Sequence, residues 1–331
     1  MKTTLIVLTL VATLFAGAIA WAVASGGPGQ PAPLDSISAP FKNVDYAGLP
    51  APSRFVARDG TRLSYRVYEP EGGAPRGSAV LVHGSSARSE SMHLMAQGLA
   101  RAGYTAYALD VRGHGESGHK GHIAYIGQLE DDLEDFVAAV KPAAKRTLVG
   151  FSSGGGFALR FAGDARKTLF DHYLLLSPFV HQDAASYRPA SGGWVSVGVP
   201  RIVALVALNS LGITRFNDLP VTAFALDARA QQLLTPSYSY ALAQNFRPRN
   251  DYRADIRAAS QPMEVLAGSD DEVFFAEQFA PVFAEAGRPV RVTLVEGIGH
   301  MNLTLQAAAI EAVAAAIDRL SADAGKVAAV K

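Results

Sequence analysis

The chain has 331 residues, 49% hydrophobic and 18% charged, which is enough apolar material for a sizeable core and too much for intrinsic disorder. Thirty basic residues balance thirty acidic ones, so no net field draws it to a polyanion, and no nucleic-acid partner is expected. With no cysteine, the sequence excludes disulfide scaffolds, thiol catalysis, zinc–thiolate sites and bacterial lipoprotein anchors.

The segment Leu5 to Ala24 carries no charge and ends in Ala22-Val23-Ala24 before Ser25, a small-x-small cleavage pattern. Residues 1–24 therefore read as a signal peptide. Their length is also near the ~20 residues that span a bilayer, which keeps an uncleaved N-terminal membrane anchor open. Both readings place the rest of the chain outside the cytoplasm, exported to the periplasm or medium or held at the membrane. Residues 25–45, rich in Gly, Pro and Ser, read as a flexible linker.

From there short apolar strands alternate with helical patterns. Ser53–Ala57 and Arg62–Val67 flank Asp59-Gly60 and predict a hairpin. Strands are expected at Ser78–Val82, Tyr104–Asp110, Arg146–Val149, Tyr173–Leu176, Met263–Ala267 and Val290–Val295. Helices are expected at Ser89–Ala102, Ile126–Ala139, Gly154–Ala162, Ala276–Ala286 and Leu303–Leu320. The acidic run Glu130, Asp131, Asp132, Glu134 and Asp135 reads as a solvated helix face. Uninterrupted apolar strands between helices predict an α/β class, with a mostly parallel central sheet covered on both faces. The layout is a first core part over 46–178, a cap or lid insertion over 179–261, a second core part over 262–323 and a C-terminal tail over 324–331.

The motifs fall at the C-terminal ends of these strands. Gly150-Phe151-Ser152-Ser153-Gly154 lies between a strand and a helix, where a sharp turn lifts Ser152 above the sheet edge; Ser153 is the rival nucleophile. Val82-His83-Gly84-Ser85-Ser86 follows the strand SAVLV, and the amides of Ser85 and Ser153 are the candidate oxyanion-hole donors. His83 reads as a packing residue. A serine hydroxyl needs a base, and the base an orienting carboxylate. Asp271, in Gly268-Ser269-Asp270-Asp271-Glu272, and His300, in Gly297-Ile298-Gly299-His300, each follow a strand, so Ser152, Asp271 and His300 stand in the order Ser…Asp…His. Asp270 and Glu272 are the neighbouring alternatives for the acid.

Together VHGSS, DVRGHGESG (Asp110–Gly118), GFSSG, GSDDEV and GIGH resemble the α/β-hydrolase superfamily, and within it the serine-aminopeptidase-like group that contains lysophospholipases and monoacylglycerol lipases. The resemblance covers roughly Phe55 to Leu320, apart from the middle section. It implies the α/β-hydrolase fold with an inserted helical cap. It also implies that Asp110, Arg112 and Gly113 shape a loop beside the site. Ser85-Ser86, where such relatives carry a bulkier or polar residue beside His-Gly, leaves the acyl-chain preference open.

His114, His119 and His122 share a loop with Gly and Lys, which reads as solvated, and no metal or cofactor is expected. Trp194–Ile213 is strongly apolar and reads as a helix packing the lid on the core, the alternative being an acyl-binding wall or membrane-facing lid. From Phe179 to Gln261 there are eight Arg, five Asp and no Glu or Lys. That balance disfavours anchoring of a substrate ammonium. The expected function is a serine hydrolase acting on a small-molecule carboxylic ester, lipid-derived esters included, with membrane association through the N-terminal segment. A peptidase or amidase with the same triad is the alternative enzyme, and a non-catalytic binding protein on the same fold is the alternative class.

Overall fold

The computed structural model describes residues 2–328. In chain order the elements are α1 (Lys2–Ser25), α2 (Asp35–Ser38), β1 (Ser53–Val56), β2 (Arg62–Tyr68), β3 (Ser78–Val82), α3 (His93–Arg101), β4 (Thr105–Leu109), α4 (Gln128–Val140), β5 (Arg146–Phe151), α5 (Ser153–Ala162) and β6 (His172–Leu176). They continue with β7 (Val195–Val197), α6 (Val199–Ser210), β8 (Pro220–Phe224), α7 (Ala228–Leu233), β9 (Ser237–Ser239), α8 (Tyr240–Asn245) and α9 (Tyr252–Ala258). The chain closes through β10 (Met263–Gly268), α10 (Phe279–Glu285), β11 (Arg291–Val295) and α11 (Ala307–Ala328).

Eight strands form one sheet in the order β1-β2-β4-β3-β5-β6-β10-β11. The pairs β1·β2 and β2·β4 are antiparallel, and all later pairs are parallel. Every residue of β3, β4, β6 and β10 is buried, as parallel strands covered on both faces require. Side-chain alternation splits the core in two. Ala79 and Leu81 of β3 face Met95, Leu99, Val313 and Ile317 from α3 and α11. Val80 and Val82 face the other way, into the layer holding Leu133 and Phe136 of α4 and Phe157 of α5. Each fully buried Leu or Val contributes roughly 1.5–3 kcal/mol. In register, Val82 pairs with Gly150, Phe151 with Leu176 and Gly268 with Val295. The loops after β3, β5, β10 and β11 therefore open on one sheet edge.

Four expectations need correction. The cap is not purely helical: β7, β8 and β9 form a three-stranded antiparallel sheet within it. The linker is not a free tether, because Leu34 N–H donates to the Ala225 carbonyl and Gln30 Nε2 to the Phe224 carbonyl. The acidic run of α4 is not a solvated face: Glu130 is buried against Arg160 and Asn245, and Asp132 against Arg112, while Asp131, Glu134 and Asp135 hold Arg58. Finally, α11 continues through the expected tail as far as Ala328, and residues 329–331 of that tail lie outside the described residues.

Candidate active site

Three glycines explain the turn between β5 and α5. A Cβ on Gly150 would sit 2.2 Å from the Gly154 carbonyl oxygen, and one on Gly154 would sit 2.3 Å from that of His83. Only glycine allows the strand, the helix and the β3 loop to approach so closely. A Cβ on Gly155 would meet the Gly150 carbonyl at 2.9 Å. At the tip, Ser152 adopts φ 55° and ψ −119°, a conformation that a non-glycine residue takes only when its surroundings impose it. They do: its N–H donates to the Leu176 carbonyl, and its own carbonyl accepts from Gly156 and Phe179. The result is a serine at the N-terminus of α5, 8% exposed and lining a cavity.

His300 lines the same cavity from the loop after β11. Its ring lies between Phe151 and Phe274, with centroids 4.7 and 5.3 Å away. Nδ1 donates to Asp271 Oδ2 at 2.9 Å, while Nε2 is buried without a hydrogen-bond partner among the described residues. Asp271 Oδ1 accepts the amides of Val273 and Phe274, both at 2.8 Å. Burial alone would raise the Asp271 carboxyl. Attraction to a charged His300, the bond from its ring and the Phe274 amide outweigh burial, holding the carboxyl below the usual carboxylate range. The neighbouring acids are used differently. Glu272 Oε2 accepts the His300 backbone N–H at 2.9 Å, and Asp270 accepts the Ser269 hydroxyl on the exposed side.

The loop after β3 closes over the serine turn. Ser85 Oγ lies 2.6 Å from Ser153 Oγ, which ties the two candidate donor residues together. Among the described residues, the N–H groups of neither Ser85 nor Ser153 have a protein acceptor. Ser153 itself does not line the cavity, whereas Ser152 does. His83 and His114 are fully buried, and burial pushes both imidazoles down. The loop read as solvated is therefore not so at His114, which Tyr238 of the cap covers. His83 accepts the Val111 N–H and donates to the Gly84 carbonyl, tying the loop to the β4 end. Asp110 accepts the amides of Ser89 and Glu116, and Arg112 is held between Asp132 and Asp59. The His119 and His122 rings lie 4.5 Å apart at a tilt of 57°, with His122 bonded to Asp218. Among the described residues no group of three or more metal-ligating side chains forms.

Two contributors carry no motif. Tyr238, from β9 of the cap, accepts the Ser86 N–H and donates to His114 Nε2, both at 2.6 Å, so the cap holds the candidate oxyanion loop. The segment after α1 supplies Ile37, Phe41, Val44 and Tyr46 to the wall of the cavity, which measures about 780 Å³. Trp194, Leu226 and Leu234 of the cap complete its apolar lining. The i, i+4, i+7 apolar spacing of Ile37, Phe41 and Val44 is the sequence signal that these residues were not idle linker.

The sequence profile described as serine aminopeptidase, S33 matches residues 73–304. A monoacylglycerol lipase of Mycolicibacterium smegmatis is 36% identical over 113 residues, which is 32% of this chain and only 39% of that protein. The crystal structure of a Paleococcus ferrophilus monoacylglycerol lipase superposes with a TM-score of 0.57 at 19% identity, covering 78% of this chain and 98% of the other. A soluble variant of monoglyceride lipase from Saccharomyces cerevisiae, solved with a substrate analogue, gives 0.60 at 17% identity, covering 82% and 94%. The solved structures match in fold, and the profile spans most of the chain: it belongs to the S33 serine aminopeptidase-like family of α/β-hydrolases.

Proposed function

We propose that the protein is a serine hydrolase of carboxylic esters, with a single-chain lipid ester such as a monoacylglycerol or lysophospholipid as its substrate class. The observation that carries this is the buried Asp271–His300 pair, whose unpartnered Nε2 shares an apolar cavity with Ser152. In this reading Nε2 takes the Ser152 proton as Oγ attacks the ester carbonyl. The amides of Ser85 and Ser153 receive the oxyanion, and the α5 N-terminus favours the same charge. His300 returns the proton to the leaving alcohol, and water then releases the acyl group by the reverse sequence. Asp271, ionised and bonded to Nδ1, fixes the tautomer and supports the imidazolium. No metal or cofactor takes part in these steps.

The lining favours an ester over an aminopeptidase substrate. The cavity carboxylates are already engaged: Glu90 holds Arg66 and Arg88, and Asp227 caps α7 through the Ala230 amide. Glu90 is thereby neutralised, and Asp227 shares the lining with the cations Lys42, Arg88 and Arg229, a balance that disfavours a substrate ammonium. The monoacylglycerol lipase relatives support a lipid ester. A location outside the cytoplasm is part of the same proposal, supported by α1, which is long and apolar enough to cross a membrane and would act as signal peptide or anchor. The test is turnover of chromogenic esters of increasing acyl length, beside an aminoacyl anilide. The native protein is expected to cleave esters and Ser152→Ala to lose activity by about 10⁴-fold or more. Equal activity of the two would remove Ser152 from the mechanism. An active anilidase inert to esters would favour the peptidase.

A further inference from the structure

The helix α1 is 24 residues long, so it extends about 36 Å, and an 18-residue window within it has mean hydropathy 2.3, which suits the ~30 Å hydrocarbon core of a bilayer. As a signal sequence it would be discarded, and nothing in the fold would depend on it. The structure is otherwise. At the C-terminal end of α1, Arg201 of the cap helix α6 is buried and spends its guanidinium on three carbonyls: Nε donates to Val23, Nη2 to Ala24 and Nη1 to Pro220. The Arg201 backbone N–H donates to the Gly26 carbonyl. The chain leaving α1 runs so close to this arginine that a Cβ on Gly27 would lie 2.4 Å from Nη1, and one on Gly26 2.8 Å from the Arg201 nitrogen. Val23 packs beside Ile202 on the cap cluster of Leu205, Val221 and Tyr240. Cleavage before Ser25 would remove two of the three side-chain acceptors of a buried cation.

The outer side of α6 is also unusual. Val199, Val203 and Val206, at positions i, i+4 and i+7, form one stripe and are 57%, 61% and 46% exposed, with Leu211 beyond the helix end 74% exposed. The buried Leu205 lies on another face of the same helix, so α6 is apolar on both sides and, among the described residues, only one side has a partner. This unpartnered stripe begins at the level where α1 ends and where Trp21 is exposed, at the depth that tryptophan favours in a bilayer.

We propose that α1 is retained as a membrane anchor, that Arg201 latches it to the cap, and that the valine stripe of α6 lies in the lipid of the same leaflet. Continuity with α1 identifies the occupant as a lipid bilayer. The latch satisfies the last carbonyls of α1, which have no partner inside the helix, and holds the cap over the cavity at the membrane surface. Arg201 is thus a positioning residue and touches no reacting atom.

The test uses the full-length chain in liposomes, and its main readout needs no catalysis, so it stands or falls apart from the ester-hydrolase proposal. Because the native sequence has no cysteine, Val203→Cys can carry a single environment-sensitive fluorophore, with Glu285→Cys, exposed on the core, as the control. The label at 203 is expected to be quenched by spin-labelled lipid and protected from aqueous iodide, and the label at 285 to behave in the opposite way. Iodide quenching equal at both positions overturns the proposal, as does a label at 203 shielded from both quenchers, the result of a second copy covering the stripe. Mass spectrometry of the membrane-extracted protein is expected to find residues 2–24 attached; a mature start at Ser25 overturns it. Arg201→Ala is expected to reduce turnover of a long-chain ester in vesicles about fivefold relative to a soluble short-chain ester, with Arg201→Lys intermediate. An unchanged ratio in Arg201→Ala overturns the latch.

Discussion

At Asp271 burial and charge oppose each other, and charge wins. The carboxylate is nearly sealed from water, yet two backbone amides and the His300 ring hold it ionised below its ordinary pKa. The sign of the pH effect follows. A depressed folded pKa stabilises the fold fully above the unfolded value of about 3.9, and that contribution is lost as pH falls through the lower folded value. Asp271→Asn is therefore expected to flatten the acid-side fall in stability, read as urea midpoint against pH. The same change should lower kcat by about 10⁴-fold, because an amide leaves His300 in the wrong tautomer. An unaltered rate would mean that another acid orients the imidazole. The sequence puts Asp271 in the acid role with Asp270 and Glu272 as alternatives, and adjacency alone could not separate the three. The choice depends on the turn geometry, which sends Glu272 to the His300 backbone amide instead.

At the scale of elements, the β5–α5 turn works because glycines let backbone meet backbone. The obstruction at Gly154 is two carbonyl oxygens, His83 at 2.3 Å and Val82 at 2.5 Å, neither of which can swing aside. Gly154→Ala is accordingly expected to cost on the order of 3 kcal/mol, checked by urea denaturation; a loss below about 0.5 kcal/mol would show that the turn relaxes. The strand-end motifs were readable because each packs a chemical role into four or five contiguous residues. The short strands β7 and β9, three residues each, fall below the length at which alternation shows, so Trp194–Ile213 read as one helix instead of β7 followed by α6. The partners of α4 were hidden for another reason. Periodicity assigns a face, but Arg58, Arg112 and Arg160, which neutralise that face, are separated from it in sequence.

Over the whole molecule, one stretch of chain runs from α1 across the cap and into the cavity wall. Composition could not reveal this, since an extended segment docked on a cap has the same Gly, Pro and Ser content as a loose tether. Its side chains give the prediction for this scale. Replacing Ile37 and Phe41 together by Ala should lower kcat/KM for long-chain esters about tenfold, equivalent to ~1.4 kcal/mol, while an acetyl ester stays within about twofold. Equal loss for both chain lengths would place these residues in folding and not in acyl binding. The Ser152 backbone also belongs to the whole molecule. Its positive φ is kept by carbonyl and amide partners on β6, α5 and the first residues of the cap connection, so it cannot outlast the sheet that supplies them. A serine-directed phosphonate would thus report more than chemistry. With Ser152 as the proposed nucleophile, the fraction of chains it marks would count the correctly assembled molecules in a preparation, a titrant for foldedness that no stain of total protein provides.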